Sequence, residues 1–385
     1  MDGKGASDLR ITLLGTLLYV AGSAIFYMMP PYLAFIGGRL SLDPGQLGML
    51  AAAESAALAL ASLAGPFWIG RIDSRMLLGV GVLACILGNL ASAFAGSFRA
   101  VMAWRAVVGF LGEGVLYTAS FAVLGTARNI DRAFAVALTV AVIYGALVTA
   151  ATSGLNAILP TVGPLTGLVA VAALVLPLLG QVPSFAPAEE AGAPAGADRR
   201  VMGVVLLGLV AQAIWYGAPG AFWTFVEQVA TDKGVPTGVA ELAVSVGEMA
   251  GLAGGVAAAL QGSRWGRLFP LVGATFGMIL SAILYGFSAG AAALSLFLAI
   301  FYSFWNYGTV YQMAFLSELD TSGKAAVMMP AAQVFGLSFG PYVAGALMVR
   351  HGDGAVTQST IAFALSGLAL YLVCFMRARR RFAEA

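Results

Sequence analysis

The stretch Ala24-Ile25-Phe26-Tyr27-Met28-Met29-Pro30 returns in altered form as Ala213-Ile214-Trp215-Tyr216-Gly217-Ala218-Pro219. Both read Ala-Ile-aromatic-Tyr-x-x-Pro, and each lies in a long apolar run. Three further matches follow in the same order. Glu54-Ser-Ala-Ala-Leu-Ala pairs with Glu248-Met-Ala-Gly-Leu-Ala, 194 residues later. Gly114-x-x-Tyr117-x-x-x-Phe121 pairs with Gly308-x-x-Tyr311-x-x-x-Phe315, again 194 residues later. Ile143-Tyr144-Gly145 pairs with Val334-Phe335-Gly336. Repeated apolar segments predict two similar halves, an arrangement that puts a binding site where the halves meet.

Composition supports a membrane setting. The 385 residues are 60% hydrophobic and 10% charged, with mean hydropathy +0.90. A soluble domain carries about 25% charge. The net charge of +2 gives no case for a nucleic-acid partner. Cys85 and Cys374 fit no metal spacing, and His351 is the one histidine. No metal site, cofactor or enzymatic constellation is therefore expected. The first apolar run has no convincing cleavage site and reads as a retained membrane helix.

A spanning helix needs about 20 mostly apolar residues. Twelve such runs are expected, roughly at 11–37, 46–69, 76–97, 101–125, 133–158, 163–181, 202–228, 238–261, 268–288, 290–316, 325–349 and 355–376. This predicts an all-α membrane protein. Residues 1–180 form a first six-helix bundle, 181–200 a Pro/Ala/Gly-rich linker, and 201–385 a second bundle. With both termini inside, fifteen Lys and Arg fall on inner segments and four (Arg39, Arg99, Lys233 and Arg350) on outer ones. That bias predicts cytoplasmic termini and linker in a cell (inner) membrane.

The chain resembles the major facilitator superfamily over essentially its whole length. Local motifs add to the architecture. The loop after helix 2 reads Gly65-Pro-Phe-Trp-Ile-Gly70-Arg71-Ile-Asp73-Ser-Arg75, and its counterpart after helix 8 reads Ser263-Arg264-Trp265-Gly266-Arg267. Helix 4 carries Arg105-Ala-Val-Val-Gly109-Phe-Leu-Gly112. The resemblance implies two pseudo-symmetric six-helix bundles, a cavity lined by helices 1, 4, 7 and 10, and secondary transport by alternating access. It associates an arginine at the Arg105 position with proton-coupled exporters. It also makes Arg71, Asp73 and Arg264 candidates for gating, although the acid is displaced in the first loop and replaced by Ser263 in the second.

Ionisable residues at membrane depth are costly and therefore functional candidates. Glu113, Glu54 and Glu248 are the candidate proton-coupling groups. Arg105 is a candidate for substrate binding or for holding a carboxylate of its own half. Eight residues separate Arg105 from Glu113, about 12 Å along a straight helix, which argues against direct contact. Glu227 and Glu241 read as a solvated rim. Candidate substrate contacts are Phe26, Tyr27, Arg105, Glu113, Tyr117, Gln212, Trp215, Tyr216, Trp223, Asn306, Tyr307, Tyr311 and Gln312. A mixed aromatic and amide lining suits a small amphipathic or aromatic organic molecule, and packing explains the same aromatics. Pro30 and Pro219 interrupt helices 1 and 7 at matched positions and are candidate gating points.

No nucleotide-binding loop is present, so coupling falls to a gradient. The expectation is a monomeric, proton-coupled exporter or antiporter of a small molecule, in contact with lipid. The alternatives are a proton-coupled importer of a small organic acid and a non-transporting receptor of the same fold.

Overall fold

The computed structural model describes residues 3–69, 71–182, 199–288, 290–319 and 324–382. Most of the expected 181–200 linker lies outside the described residues. Among those described there are twelve helical segments and no strand. They are α1 (Gly3–Leu40), α2 (Pro44–Trp68), α3 (Ser74–Phe94), α4 (Phe98–Leu124), α5 (Ile130–Ile158), α6 (Leu165–Gln181), α7 (Arg199–Asp232), α8 (Thr237–Gln261), α9 (Leu268–Phe287), α10 (Ala291–Leu319), α11 (Lys324–His351) and α12 (Gly354–Phe382).

Eleven are long and apolar enough to cross a bilayer; α6 is the short one. Its α-helical part, Leu165–Val175, gives way to a 3-10 turn, Leu176–Gln181. Pro177 opens that turn and removes an N–H that an α-helix would use. The 3-10 rise is steeper, so the two parts together still reach about 28 Å, close to a bilayer core. Outer faces carry large apolar side chains such as Phe67, Phe94, Leu147 and Phe287. That is the expected surface of a multi-pass membrane protein, whose solvent is hydrocarbon. Pro30 and Pro31 lie inside α1 and Pro219 inside α7. Contrary to the expected interruption, both helices run on through them.

The helices group into two compact units, Met1–Leu42 with Ala53–Gly192 and Asp43–Ala52 with Ala193–Ala385. In the first, α1 packs on α4, α5 and α6, and α3 packs on α4 and α6. In the second, α7 packs on α10, α11 and α12, and α9 packs on α10 and α12. The second scheme is the first advanced by six helices. The segment Asp43–Ala52 belongs to the second unit through α11: Ser338 Oγ donates to the Ala52 carbonyl at 2.8 Å, and Gly48 lies against the Pro341 carbonyl.

The repeat extends to helix capping. Arg39, just inside the end of α1, donates to the Ser92, Ala93 and Ala95 carbonyls at the C-terminus of α3. Lys233 lies 194 residues later, just past α7. It donates to the Tyr285, Gly286 and Ser288 carbonyls at the C-terminus of α9. A cation there satisfies orphan carbonyls and the negative end of the helix dipole. Asp73 has a comparable local role, since its carboxylate accepts from the Met76 N–H and caps α3.

Candidate functional site

The first unit holds a buried charge cluster built on α2, α3 and α4. Arg105 and Glu54 are both fully buried, with Arg105 Nη2 3.2 Å from Glu54 Oε1. The same nitrogen donates to Asn89 Oδ1 at 3.0 Å, and Asn89 Nδ2 donates in turn to the Cys85 carbonyl at 2.7 Å. The Tyr32 ring lies under the guanidinium, 5.2 Å from its carbon to the ring centroid. A charge removed from water must be paired and hydrogen-bonded, and this one draws on all three elements and on α1.

Glu113 joins the cluster because α4 is not a regular α-helix. Residues Val108–Glu113 form a π-turn, closed by the Gly114 N–H donating to the Gly109 carbonyl. Eight α-helical steps of about 100° would leave Glu113 about 80° around the helix from Arg105. The wider turn holds one extra residue, winds the chain back by about one step, and brings the two to within about 20°. Helical side chains also lean toward the N-terminus, which tips Glu113 toward Arg105. Glu113 is buried and lies within electrostatic range of both Arg105 and Glu54. The expectation against a direct Arg105–Glu113 contact meets no such contact among the described residues, and the π-turn brings Glu113 to the Arg105–Glu54 pair electrostatically. Close packing fixes the register: a β-carbon on Gly109 would lie 2.5 Å from the Glu54 carbonyl oxygen.

The cluster contains one cation and two carboxyls. Apart from the Arg105 ion pair to Glu54 and the approach of the two carboxyls to each other, neither carboxyl meets a donor in good hydrogen-bond geometry among the described residues, and Arg105 Nε and Nη1 meet no acceptor in good geometry. An extra proton on the Glu54–Glu113 pair would neutralise the site. The free guanidinium donors could take an anionic oxygen.

In the second unit the repeat-related positions read differently. Glu248 stands in for Glu54, Ala299 for Arg105 and Tyr307 for Glu113. Glu248 is buried, and its oxygens have no hydrogen-bond partner among the described residues. Glu227 and Glu241, expected at a solvated rim, are each only 1% exposed. That expectation is wrong: both side chains are enclosed by protein although they lie near helix ends. They lie within electrostatic range of each other.

The remaining expected contacts fall into two groups. In the first unit Phe26 and Tyr117 meet edge to face with centroids 6.3 Å apart, and Tyr27 packs on Gly145 of α5. In the second unit an aromatic ladder runs Trp223, Tyr302, Trp305, Tyr216, Trp215, with centroids 4.7–6.2 Å apart. Several of its polar ends are engaged. Trp215 Nε1 donates to Thr275 at 2.9 Å, Tyr216 shares a hydrogen bond with Thr309 at 2.8 Å, and Asn306 donates to the Tyr302 carbonyl at 3.1 Å. Tyr307 donates to Gln261 at 2.7 Å and Tyr311 to the Gly262 carbonyl at 3.0 Å. Gln212 and Gln312 are fully buried without a side-chain partner among the described residues. Arg71 and Arg264 are exposed on their loops.

Asn89 and Tyr32 were not singled out from the sequence. The signal for Asn89 was available: it is the one amide in the apolar run of α3.

Known proteins place this architecture. The sequence profile of the Major Facilitator Superfamily matches residues 11–329. The xylose transporter XylE from E. coli, in a partially occluded inward-open conformation, superposes with TM-score 0.74 at 15% identity, covering 96% of this chain and 98% of its own. The nucleoside transporter NupG gives 0.69 at 14%, covering 96% and 98%. A bacterial homologue of the human lysosomal transporter Spinster gives 0.65 at 15%, covering 97% of each chain. Among curated protein sequences none matches. With twelve helices in two equivalent sets of six and a profile match over most of its length, the chain belongs to the Major Facilitator Superfamily and is a secondary transporter, not an enzyme.

Proposed function

We propose that the protein couples proton movement to transport of a small amphipathic or aromatic organic molecule, by alternating access and in the direction of export. The carrying observation is the buried Arg105–Glu54 pair with Glu113 brought beside it by the π-turn. One cation facing two carboxyls has room for one proton without leaving net charge in the membrane. Glu113 and Glu54 share that proton. Glu248, without a hydrogen-bond partner among the described residues, is an additional proton site. The buried amides Gln212 and Gln312 and the aromatic ladder suit a substrate with an apolar body and few polar groups. The basic residues bias the chain toward cytoplasmic termini in a cell membrane.

One observation favours a second reading, uptake of a small organic acid. Arg105 Nε and Nη1 have no acceptor among the described residues and could bind a substrate carboxylate.

The test is flux in proteoliposomes under an imposed pH gradient, with organic acids and amphipathic cations as candidate substrates. Proton coupling predicts accumulation that follows the gradient and reverses with it. Flux indifferent to the gradient rejects coupling. Accumulation of an acid with the proton, lost in Arg105→Lys, selects the second reading.

A further inference from the structure

The second unit contains a cavity of about 570 Å³ between α8 and α9, floored by α10. Its walls are small or apolar: Ala253, Gly254 and Ala257 on α8, Gly273 on α9, Ala299 on α10. The hydroxyls that reach it are already used. Ser303 donates to the Ala250 and Ala299 carbonyls, and Tyr307 donates to Gln261. The interior therefore offers no free donor to a polar ligand and suits a hydrocarbon.

The mouth has a different chemistry. Trp265 and Phe269 are 61% and 66% exposed and meet edge to face at 5.8 Å. Arg264 is exposed beside them. Arg267 forms an ion pair with Glu318 through Nε, at 2.9 Å, and Nη2, at 2.5 Å. Among the described residues at the mouth, Arg264 is thus the cation left to attract an anion. Aromatic rings and a basic side chain at the end of a membrane helix mark the headgroup level.

The two halves differ at this place. At the positions 194 residues earlier, the first unit has Leu60 for Gly254, Leu63 for Ala257 and Arg105 for Ala299. The mouth residues Trp265 and Phe269 replace Arg71 and Arg75. At these three wall positions the second unit carries the smaller side chain, while Ile300 and Ser303 exceed their counterparts Ala106 and Gly109, and the rim gains aromatic surface. Gly254 is needed for packing, since a β-carbon there would collide with the Ser303 carbonyl. Gly273 is not, because a β-carbon there meets nothing within 4 Å.

We infer that this fissure seats one acyl chain of an anionic phospholipid, with its phosphate at Arg264 and its glycerol region against Trp265 and Phe269. The occupant belongs to the leaflet at the Arg264 end of α8 and α9. Charge complementarity selects the headgroup, and the apolar walls select the chain.

Native mass spectrometry of the full chain, released from nanodiscs of equal phosphatidylglycerol and phosphatidylcholine, tests this. The unmodified chain should retain phosphatidylglycerol in preference. Gly273→Leu should lower the retained lipid by about tenfold or more, by filling the space of the chain. Arg264→Gln should lower the phosphatidylglycerol preference roughly fivefold, the worth of one cation near a membrane surface. Ala257→Leu, which copies the first unit's side chain, gives an independent block should Gly273→Leu lower the thermal transition. Lipid retention unchanged in both filled variants would overturn the proposal. Equal retention of the two lipids by the unmodified chain would overturn the headgroup assignment.

Discussion

The two units share helix pairing, capping cations and a buried glutamate on the second helix of each set, yet only the first surrounds that glutamate with charge. Glu54 has Arg105 3.2 Å away and Asn89 behind it; Glu248 has Ala299 where the arginine would be. The capping cations and the helix pairing are common to both halves. The unduplicated residues, Arg105 and Glu113, are the charged residues that distinguish the first half. A carboxyl common to both halves reports ancestry as much as function, and the cation beside only one of them is the more informative residue.

Breaking the pair should produce the largest effect. Arg105→Met leaves Glu54 buried without its cation and should cost about 3–5 kcal/mol. Monodispersity and thermal unfolding in detergent would show it. Arg105→Met combined with Glu54→Gln should recover most of that loss, without recovering gradient-driven flux. The corresponding change in the second unit, Glu248→Gln, removes no ion pair and should leave folding intact or improved. A loss equal to that of Arg105→Met would erase the asymmetry.

Packing beneath the site comes next. Gly109→Val drives a side chain into the Glu54 carbonyl and should cost about 1–3 kcal/mol. It should also weaken transport more than stability, because it shifts the contact that sets the π-turn against α2. Asn89→Ala removes a hydrogen bond to a charged group, worth about 1.5–3 kcal/mol. Asn89→Asp would add a second carboxylate to Arg105 and compete with Glu54. Gradient-driven flux measured against pH separates these two variants.

The capping cations should give the smallest and most symmetric effects. Arg39→Ala and Lys233→Ala each remove carbonyl donors at a helix C-terminus, worth about 1 kcal/mol. Equal losses in thermal stability would mark them as shared frame. A transport defect at only one would place that end of the molecule in the mechanism.

Much of this organisation could be read from the sequence. Hydropathy gave the spans, the repeated glutamate gave the alignment of the halves, and Arg105, Glu54 and Glu113 stood out as charges in apolar runs. That Arg105 holds a carboxylate of its own half was one of the readings, but that the carboxylate is Glu54 could not be read, because it depends on contacts between α2 and α4 that no local pattern encodes. The neighbourhood of Arg105 and Glu113 was hidden for a sharper reason. Counting at 100° per residue assumes a regular helix, and the π-turn at Val108–Glu113 changes the count by one. For Glu227 and Glu241 nearness to a helix end suggests water, whereas both are buried. The fissure beside Gly273 was equally out of reach, since small residues in an Ala/Gly-rich chain do not reveal which of them face empty space.

The central claim is that Glu113, held beside Arg105 by the π-turn, carries the coupling proton. The most direct measurement compares Glu113→Gln with the unmodified protein in proteoliposomes, recording uphill accumulation under a pH gradient and exchange with equal pH on both sides. The account predicts that Glu113→Gln loses accumulation and its pH dependence while retaining exchange. Accumulation with an unchanged pH profile in Glu113→Gln would contradict it.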